Sequence, residues 1–331
     1  MTVLDIAVEG TILTSTFTAN VNKKEPISEY LHVIAVLSNP CQFKRRFQLA
    51  REFIARQEAT PGVVLYVVEL AYNDDPFQIT NSECARHLQL RTRERPIWVK
   101  ETLVNAGIKY LLPPDCKAFA WIDADIEFEN RNWVNEALVL LNGECDVIQL
   151  FSHALDLDAK EDPMNIFSSF AYQCNKGRRY SPRAQPLNQF HPGFAWAMRR
   201  DFLDKIGGQL YDLSILGAGD INMAWSFIGR GLETLDAQQT EGYKQSLRQF
   251  ESRCSPPCKL GHVSGVIRHY FHGSKVNRRY GDRWKLLNDA RFDPYVHLCR
   301  DEFGLVCASE KCPKKLLDDI ALYFVTRNED E

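Results

Sequence analysis

Two carboxylates one residue apart, Asp123 and Asp125, follow the apolar run Phe119-Ala-Trp-Ile122. Carboxylates at the end of a buried strand are costly unless paired or bound to metal. At this spacing they can approach one divalent cation, Mn2+ or Mg2+, of the kind that neutralises charge gathering on a leaving diphosphate. The same pair would also suit a solvated face or a helix cap. A second cluster, His269-Tyr-Phe-His-Gly-Ser-Lys275, ends another apolar stretch. Neutral imidazole binds Mn2+ alongside carboxylates, so His269 and His272 are candidate ligands. Lys275, Arg278 and Arg279 are candidate contacts for diphosphate oxygens, the alternative being a basic surface turn beside two satisfied histidines. The third cluster is Gly217-Ala-Gly219-Asp220. Its glycines admit backbone and ligand closely, and Asp220 is either a helix N-cap or, the sharper reading, a general base.

These groups need elements to hold them. His32–Leu37, Val63–Val68, Phe119–Ile122 and Val147–Phe151 read as short buried strands, each stopping at a polar or turn residue. Phe43, Phe47, Leu49, Phe53 and Ile54 recur near helical spacing, and a helix over Ile97–Ala106 follows Pro96. Strands alternating with helices predict an open α/β sheet with helices on both faces, in which ligands bind beyond the carboxyl ends of the strands. Ser38-Asn39, Glu69 and Asp123-Ala-Asp125 each end such a strand, so they are expected to line one crevice. The polar stretch from Asp156 to Pro186 reads as a long mobile loop. Beyond it, the pattern gives a strand at Gly193–Met198, helices at Arg200–Ile206, Asp220–Gly229 and Tyr243–Glu251, and a strand at Val263–Tyr270. Two more helices follow, at Arg283–Asn288 and Lys314–Phe324.

Composition narrows the class. The 331 residues are 45% hydrophobic and 25% charged, ordinary for a globular chain able to bury a sizeable core. With 40 Lys+Arg against 43 Asp+Glu, the charge of −3 provides no field for nucleic acid or an anionic membrane. No run approaches the ~18 apolar residues of a spanning helix, and no signal-like segment opens the chain, so it reads as cytoplasmic without an integral membrane segment. The ten cysteines scatter from Cys41 to Cys312. Cys254, Cys258, Cys307 and Cys312 leave open a four-cysteine zinc site, against unpaired thiols.

In order and wording these segments resemble the glycosyltransferase A fold, and within it the beta-1,4-galactosyltransferase-like and chondroitin-polymerase-like transferases. The resemblance runs over about residues 31 to 290. Asn39-Pro40 with Phe43-Lys-Arg-Arg46 looks like that group's nucleotide motif. Lys100, Leu103, Asn105 and Gly107 resemble its Lys-Leu-Leu-Asn-x-Gly helix, and Trp121-Ile-Asp-Ala-Asp125 its Asp-x-Asp strand. His191-Pro-Gly-Phe-Ala-Trp196 with Ile206-Gly-Gly208 resembles its sugar-side strand and turn. Ile267-Arg-His269 resembles its metal segment, and Gly217-Ala-Gly-Asp220 stands where the group carries Trp-Gly-Trp-Gly-x-Glu-Asp. The paired tryptophans and the Glu before the Asp are absent here, so a galactose donor and an N-acetylglucosamine acceptor do not carry over. His269-Tyr-Phe-His-Gly-Ser-Lys275 is equally similar to the His-x-x-Gly-x-x-Lys motif of retaining transferases, which leaves the stereochemistry open.

The resemblance implies a nucleotide-sugar transferase with residues 1–30 as an extension, a single catalytic domain over 31–300 and a helical tail over 301–331. It implies a glycan acceptor and a UDP-linked donor. Asp125 and His269 would hold Mn2+ (or Mg2+), with Asp123 on the ribose or metal and His272 a further ligand. Ser38, Asn39, Arg45, Glu69, Lys100 and Asn105 would serve the nucleotide, Lys275 the diphosphate, and Asp220 would be the base of an inverting transfer. Phe194 and Trp196 are candidates to stack on a sugar face. The alternatives are a sugar-nucleotide nucleotidyltransferase, disfavoured because Ser38–Gln42 lacks glycine, and a non-catalytic carbohydrate-binding protein on the same fold.

Overall fold

The computed structural model describes residues 2–8, 11–17, 26–27, 30–178, 182, 188–274, 276–278 and 280–331. Strands β1 (Thr2–Val8) and β2 (Thr11–Phe17) form an antiparallel pair. The sheet proper begins with β3 (Leu31–Ser38), followed by α1 (Lys44–Glu58), β4 (Val63–Tyr72) and β5 (His87–Thr92). Next come α2 (Lys100–Tyr110), β6 (Ala118–Ile122), β7 (Ile126–Phe128), α3 (Trp133–Asn142) and β8 (Val147–Gln149). Then follow β9 (His153–Leu157), β10 (Pro163–Ser168), α4 (Phe170–Asn175), β11 (Ala195–Arg199), α5 (Arg200–Lys205), α6 (Gly219–Phe227) and α7 (Glu241–Arg253). The chain continues through β12 (Leu260–His262), β13 (Val266–His269), α8 (Tyr280–Asp289) and α9 (Pro294–His297), and then β14 (Leu298–Arg300), β15 (Val306–Ala308) and α10 (Lys314–Thr326).

Seven strands make the central sheet in the order β12-β8-β11-β6-β3-β4-β5. β3 runs parallel to both β4 and β6, whereas β11 is antiparallel to β6 and β8, so the sheet is mixed. A four-stranded sheet, β10-β9-β13-β7, stands beside it. This is the expected open α/β arrangement, and the strands show why. Their residues alternate between two cores: Ile34, Val68, Phe119, Trp121 and Met198 face α2, α6, α7 and α10, while Val33, Ala35, Val67, Ala120 and Ala197 face α1 and α3. A period-2 chain with both faces apolar must be covered on both sides. Gly107 sets the spacing of α2, since a Cβ there would lie 2.9 Å from Ile34 Cγ2 and 3.1 Å from Val68 Cγ2.

Several boundaries differ from the sequence reading. β4 runs on through Glu69 to Tyr72. α2 starts only at Lys100 because Trp98 N still bonds to Ile215 O in an extended segment. The stretch read as a long mobile loop holds the end of β9, all of β10 and α4; 179–181 and 183–187 lie outside the described residues. β10 is an edge strand exposed over most of its length, so its pattern is weaker than that of the buried strands. The four-cysteine zinc site is not assembled: Cys254 and Cys258 are buried thiols by the end of α7, while Cys307 sits across from Cys299 in the β14–β15 pair, Sγ to Sγ 3.1 Å. Among the described residues the one metal-capable cluster contains no cysteine.

Candidate metal centre and its cavity

Because β3 and β6 are parallel, their carboxyl ends open on the same edge, and the antiparallel β11 begins there. β13 ends nearby, paired to β7 immediately after Asp125; Tyr270 N bonds to Asp125 O. Around these ends lies a cavity of ≈ 670 Å³. Ser38, Asn39, Lys100, Asp123, Asp125, Asp220, His269 and His272 all line it, so elements far apart in sequence deliver these expected residues to one place.

The metal-ligand candidates converge. One donor atom from each of Asp125, His269 and His272 lies within 4.8 Å of the others. His272 Nε2 is 3.0 Å and His269 Nε2 3.9 Å from Asp125 Oδ2. Asp125 Oδ1 is buried and has no hydrogen-bond partner, which leaves an acceptor aimed inward for a cation to satisfy. Burial disfavours the Asp125 carboxylate, yet the His272 hydrogen bond and the neighbouring His269 and Arg46 charges hold it well below the usual range. It is thus ionised and ready to ligate.

The next layer fixes the imidazoles. His269 Nδ1 donates to Asp156 Oδ1 at 2.5 Å, so Nε2 is the nitrogen turned to the centre. A carboxylate behind a ligating histidine orients the ring and raises its basicity. His272 Nδ1 faces Glu329 Oε1 at 3.5 Å, and Glu329 in turn takes a paired hydrogen bond from Arg46 (2.6 and 2.7 Å) and is ion-paired to Arg327, whose Nε lies 2.7 Å away. Burial, then Arg278, lowers the His272 pKa and favours the neutral, ligating form. Phe194 closes the centre from below, its ring 4.8 Å from His269 and stacked on His191 at 4.2 Å. It holds φ +77, an unusual conformation for a bulky residue that the surrounding packing must enforce.

Asp123 plays a different part: it is ion-paired to Lys100, with its amide bonded to Phe194 O. Burial, opposed by Lys100, raises its acid. Further along the wall, Gly217 (φ +86) and Ala218 (φ +73) bring the start of α6 in, with Asp220 in its first turn. Asp220 Oδ1 accepts from the amide of Ile221, and the other carboxylate oxygen approaches Gly193, where a Cβ would come within 3.0 Å.

Other expected contacts fall elsewhere. Glu69 is buried, with its carboxylate accepting from the amides of Gln78, Ile79 and Thr80, and it does not line the cavity. Asn105 bonds to Leu210 and Asp212, away from the cavity, and so anchors that segment. Arg45 donates to Phe271 O, and of the two neighbours it is Arg46 that lines the cavity. Asn39 reaches the cavity edge, but its side chain holds the turn through Phe43 N and O. Ser38 Oγ lies 2.9 Å from Tyr72 OH. Trp196 is buried, donating to Pro192 O, and only Phe194 of the expected stacking pair lines the cavity. Lys275 and Arg279 lie outside the described residues; Arg278 lines the cavity, with Nη2 2.9 Å from His272 Nε2.

Sequence reasoning missed Asp156, Glu101, Arg283, Arg327 and Glu329, all of which line the cavity. Asp156 had a signal, the alternation of His153-Ala-Leu-Asp-Leu157; the others had none readable locally.

No family model matches the sequence, and no curated protein matches it. Among solved structures it is similar to S. aureus TarS, with 14% identity over 68% of this chain and 71% of that one, TM-score 0.39. It is also similar to a Drosophila β-1,4-galactosyltransferase 7 solved with manganese, UDP-Gal and xylobiose: 10% identity, 88% and 98% covered, TM-score 0.40. A third likeness is to glucosyl-3-phosphoglycerate synthase from Mycobacterium tuberculosis in complex with Mn2+, UDP and phosphoglyceric acid: 11% identity, 79% and 75% covered, TM-score 0.37. These likenesses are distant, and the functional reading rests on the geometry of the cavity itself.

Proposed function

We propose that this chain is a metal-dependent glycosyltransferase of the A type, moving a sugar from a nucleotide diphosphate, with UDP the expected nucleotide, to a hydroxyl of a glycan or similar acceptor. The observation that carries the reading is the convergence of Asp125, His269 and His272 in a cavity that also presents Asp220. Bound by those three side chains, Mn2+ or Mg2+ would neutralise the charge gathering on the diphosphate as the sugar departs.

The rest of the chemistry falls to the chain. Arg46 and Arg278 flank the ligands and add positive charge for phosphate oxygens. Lys100, ion-paired to Asp123, would hold that carboxylate for the ribose of the donor. Asp220 takes the proton of the acceptor hydroxyl as that oxygen bonds to the anomeric carbon, and the electron pair of the broken bond leaves with the diphosphate. This in-line displacement inverts the sugar's configuration.

Asp220→Asn tests the base. Asn keeps the size and the hydrogen bond to the Ile221 amide but cannot accept the proton. The expected variant is folded, binds donor as the wild type does, and transfers sugar at least about a hundredfold more slowly. Near-wild-type turnover, or a product that retains the donor's anomeric configuration, contradicts the assignment.

A further inference from the structure

The proposed transfer leaves one carboxyl of the cavity without a role. Glu101, in the first turn of α2, is buried in the cavity wall next to Lys100. Its carboxyl occupies the space where residue 219 has no side chain: a Cβ on Gly219 would lie 2.5 Å from Glu101 Oε1 and 2.6 Å from Cδ. The next residue along the chain is Asp220. Two carboxyl groups from separate elements therefore lie near the start of α6, close enough for Asp220 to raise the Glu101 acid.

That placement is expensive. A carboxyl group buried near two other acids, Asp123 and Asp220, is costly, and the hydrogen bond from its own backbone amide and the Lys100 charge offset only part of that cost. Burial, opposed by Lys100 and reinforced by Asp220, pushes the Glu101 acid up to about 8. Near neutral pH it can therefore both donate and accept hydrogen bonds. Sugar hydroxyls need that pairing. Lys100, its chain neighbour, is ion-paired to Asp123, and both Lys100 and Glu101 line the cavity.

We propose that Glu101 is a donor-sugar-binding residue: from the space beside Gly219 its carboxyl group hydrogen-bonds a hydroxyl of the sugar carried by the nucleotide. The proposal rests on the transferase reading above. It separates sugar recognition, by Glu101, from diphosphate recognition, by the metal ligands and arginines.

Calorimetry with Mn2+ tests it, using UDP, UDP-glucose, UDP-galactose, UDP-N-acetylglucosamine and UDP-xylose as probes. The wild type is expected to bind UDP and to bind at least one UDP-sugar more tightly. Glu101→Leu, of similar size and unable to hydrogen-bond, should bind UDP within about twofold of wild type and bind that UDP-sugar about tenfold more weakly than wild type does. Glu101→Gln should fall between the two. Should the Leu variant fail to fold, Gly219→Ala makes the same test, because its methyl group displaces the Glu101 carboxyl. A folded Leu variant with wild-type affinity for both ligands overturns the proposal, as does one that loses UDP and UDP-sugar equally. A wild type that binds no UDP with Mn2+ overturns the transferase reading and this proposal with it.

Discussion

At the scale of single residues, the chain places acids in unlike surroundings and so gives them unlike states. Asp125, beside two imidazoles and Arg46, is held ionised, whereas Glu101, shut in with other acids, is pushed up to about 8. The second shift makes a stability prediction. The folded state binds the Glu101 proton more tightly than the unfolded chain, whose value is the ordinary 4.5. Between those two values the native state carries more protons, so stability falls as pH rises from about 4.5 to 8. Glu101→Gln, which cannot ionise, should remove this penalty. Its unfolding free energy relative to wild type should rise between pH 5 and pH 8 by at most about 1.4 kcal/mol per pH unit, read from denaturant unfolding at both values. A constant difference would place Glu101 in a solvated setting.

At the scale of elements, what could be read beforehand depended on pattern strength. β3, β4, β6 and α1 are strongly apolar at one period, and the carboxylates and histidines that end such strands could be placed at one edge. The apolar stripe of α1 is legible in the sequence at Phe47, Leu49 and Phe53, but Arg45, expected at the nucleotide, bonds to Phe271 O while Arg46 lines the cavity. Glu69 and Asn105 have the residue types of a nucleotide site but serve as anchors for the 78–80 loop and the 210–212 segment. Sequence alone cannot separate a carboxylate that binds a ligand from one that binds backbone amides. Glu101 was unreadable for another reason: its surroundings come from Gly219, more than a hundred residues away. The close contact of α2 with the sheet makes its own prediction. Gly107→Ala drives a methyl group into Ile34 and Val68, and should cost about 1–3 kcal/mol with a matching drop in melting temperature. An unchanged melting temperature would mean that α2 can move away freely.

At the scale of the whole molecule, the segment expected as a helical tail, 301–331, contributes residues to the cavity wall. Phe324, Arg327 and Glu329 line the cavity, and Asp330 accepts from the amides of Lys44 and Arg45 at the start of α1. This joins the last turn of the chain to its first large helix. Glu329 is the joint, since it is almost fully buried and ion-paired to Arg46 and Arg327 behind His272. Removing one partner of a buried charge network leaves the others uncompensated. Glu329→Ala should therefore lose about 3 kcal/mol of stability and bind Mn2+ more weakly, as read by thermal unfolding and metal titration. Among the described residues no helix is long and apolar enough to cross a membrane.

The most direct test of the proposed metal-diphosphate centre is calorimetric titration of UDP into wild type and Asp125→Ala, each with Mn2+ and with chelator. The Asp125 carboxylate stands at a strand end and contributes little to the core, so the variant should stay folded. The expected result is UDP binding to the wild type that requires Mn2+ and is lost in the variant. Equal affinity in chelator, or an Asp125→Ala protein that binds UDP and Mn2+ as the wild type does, would contradict the account.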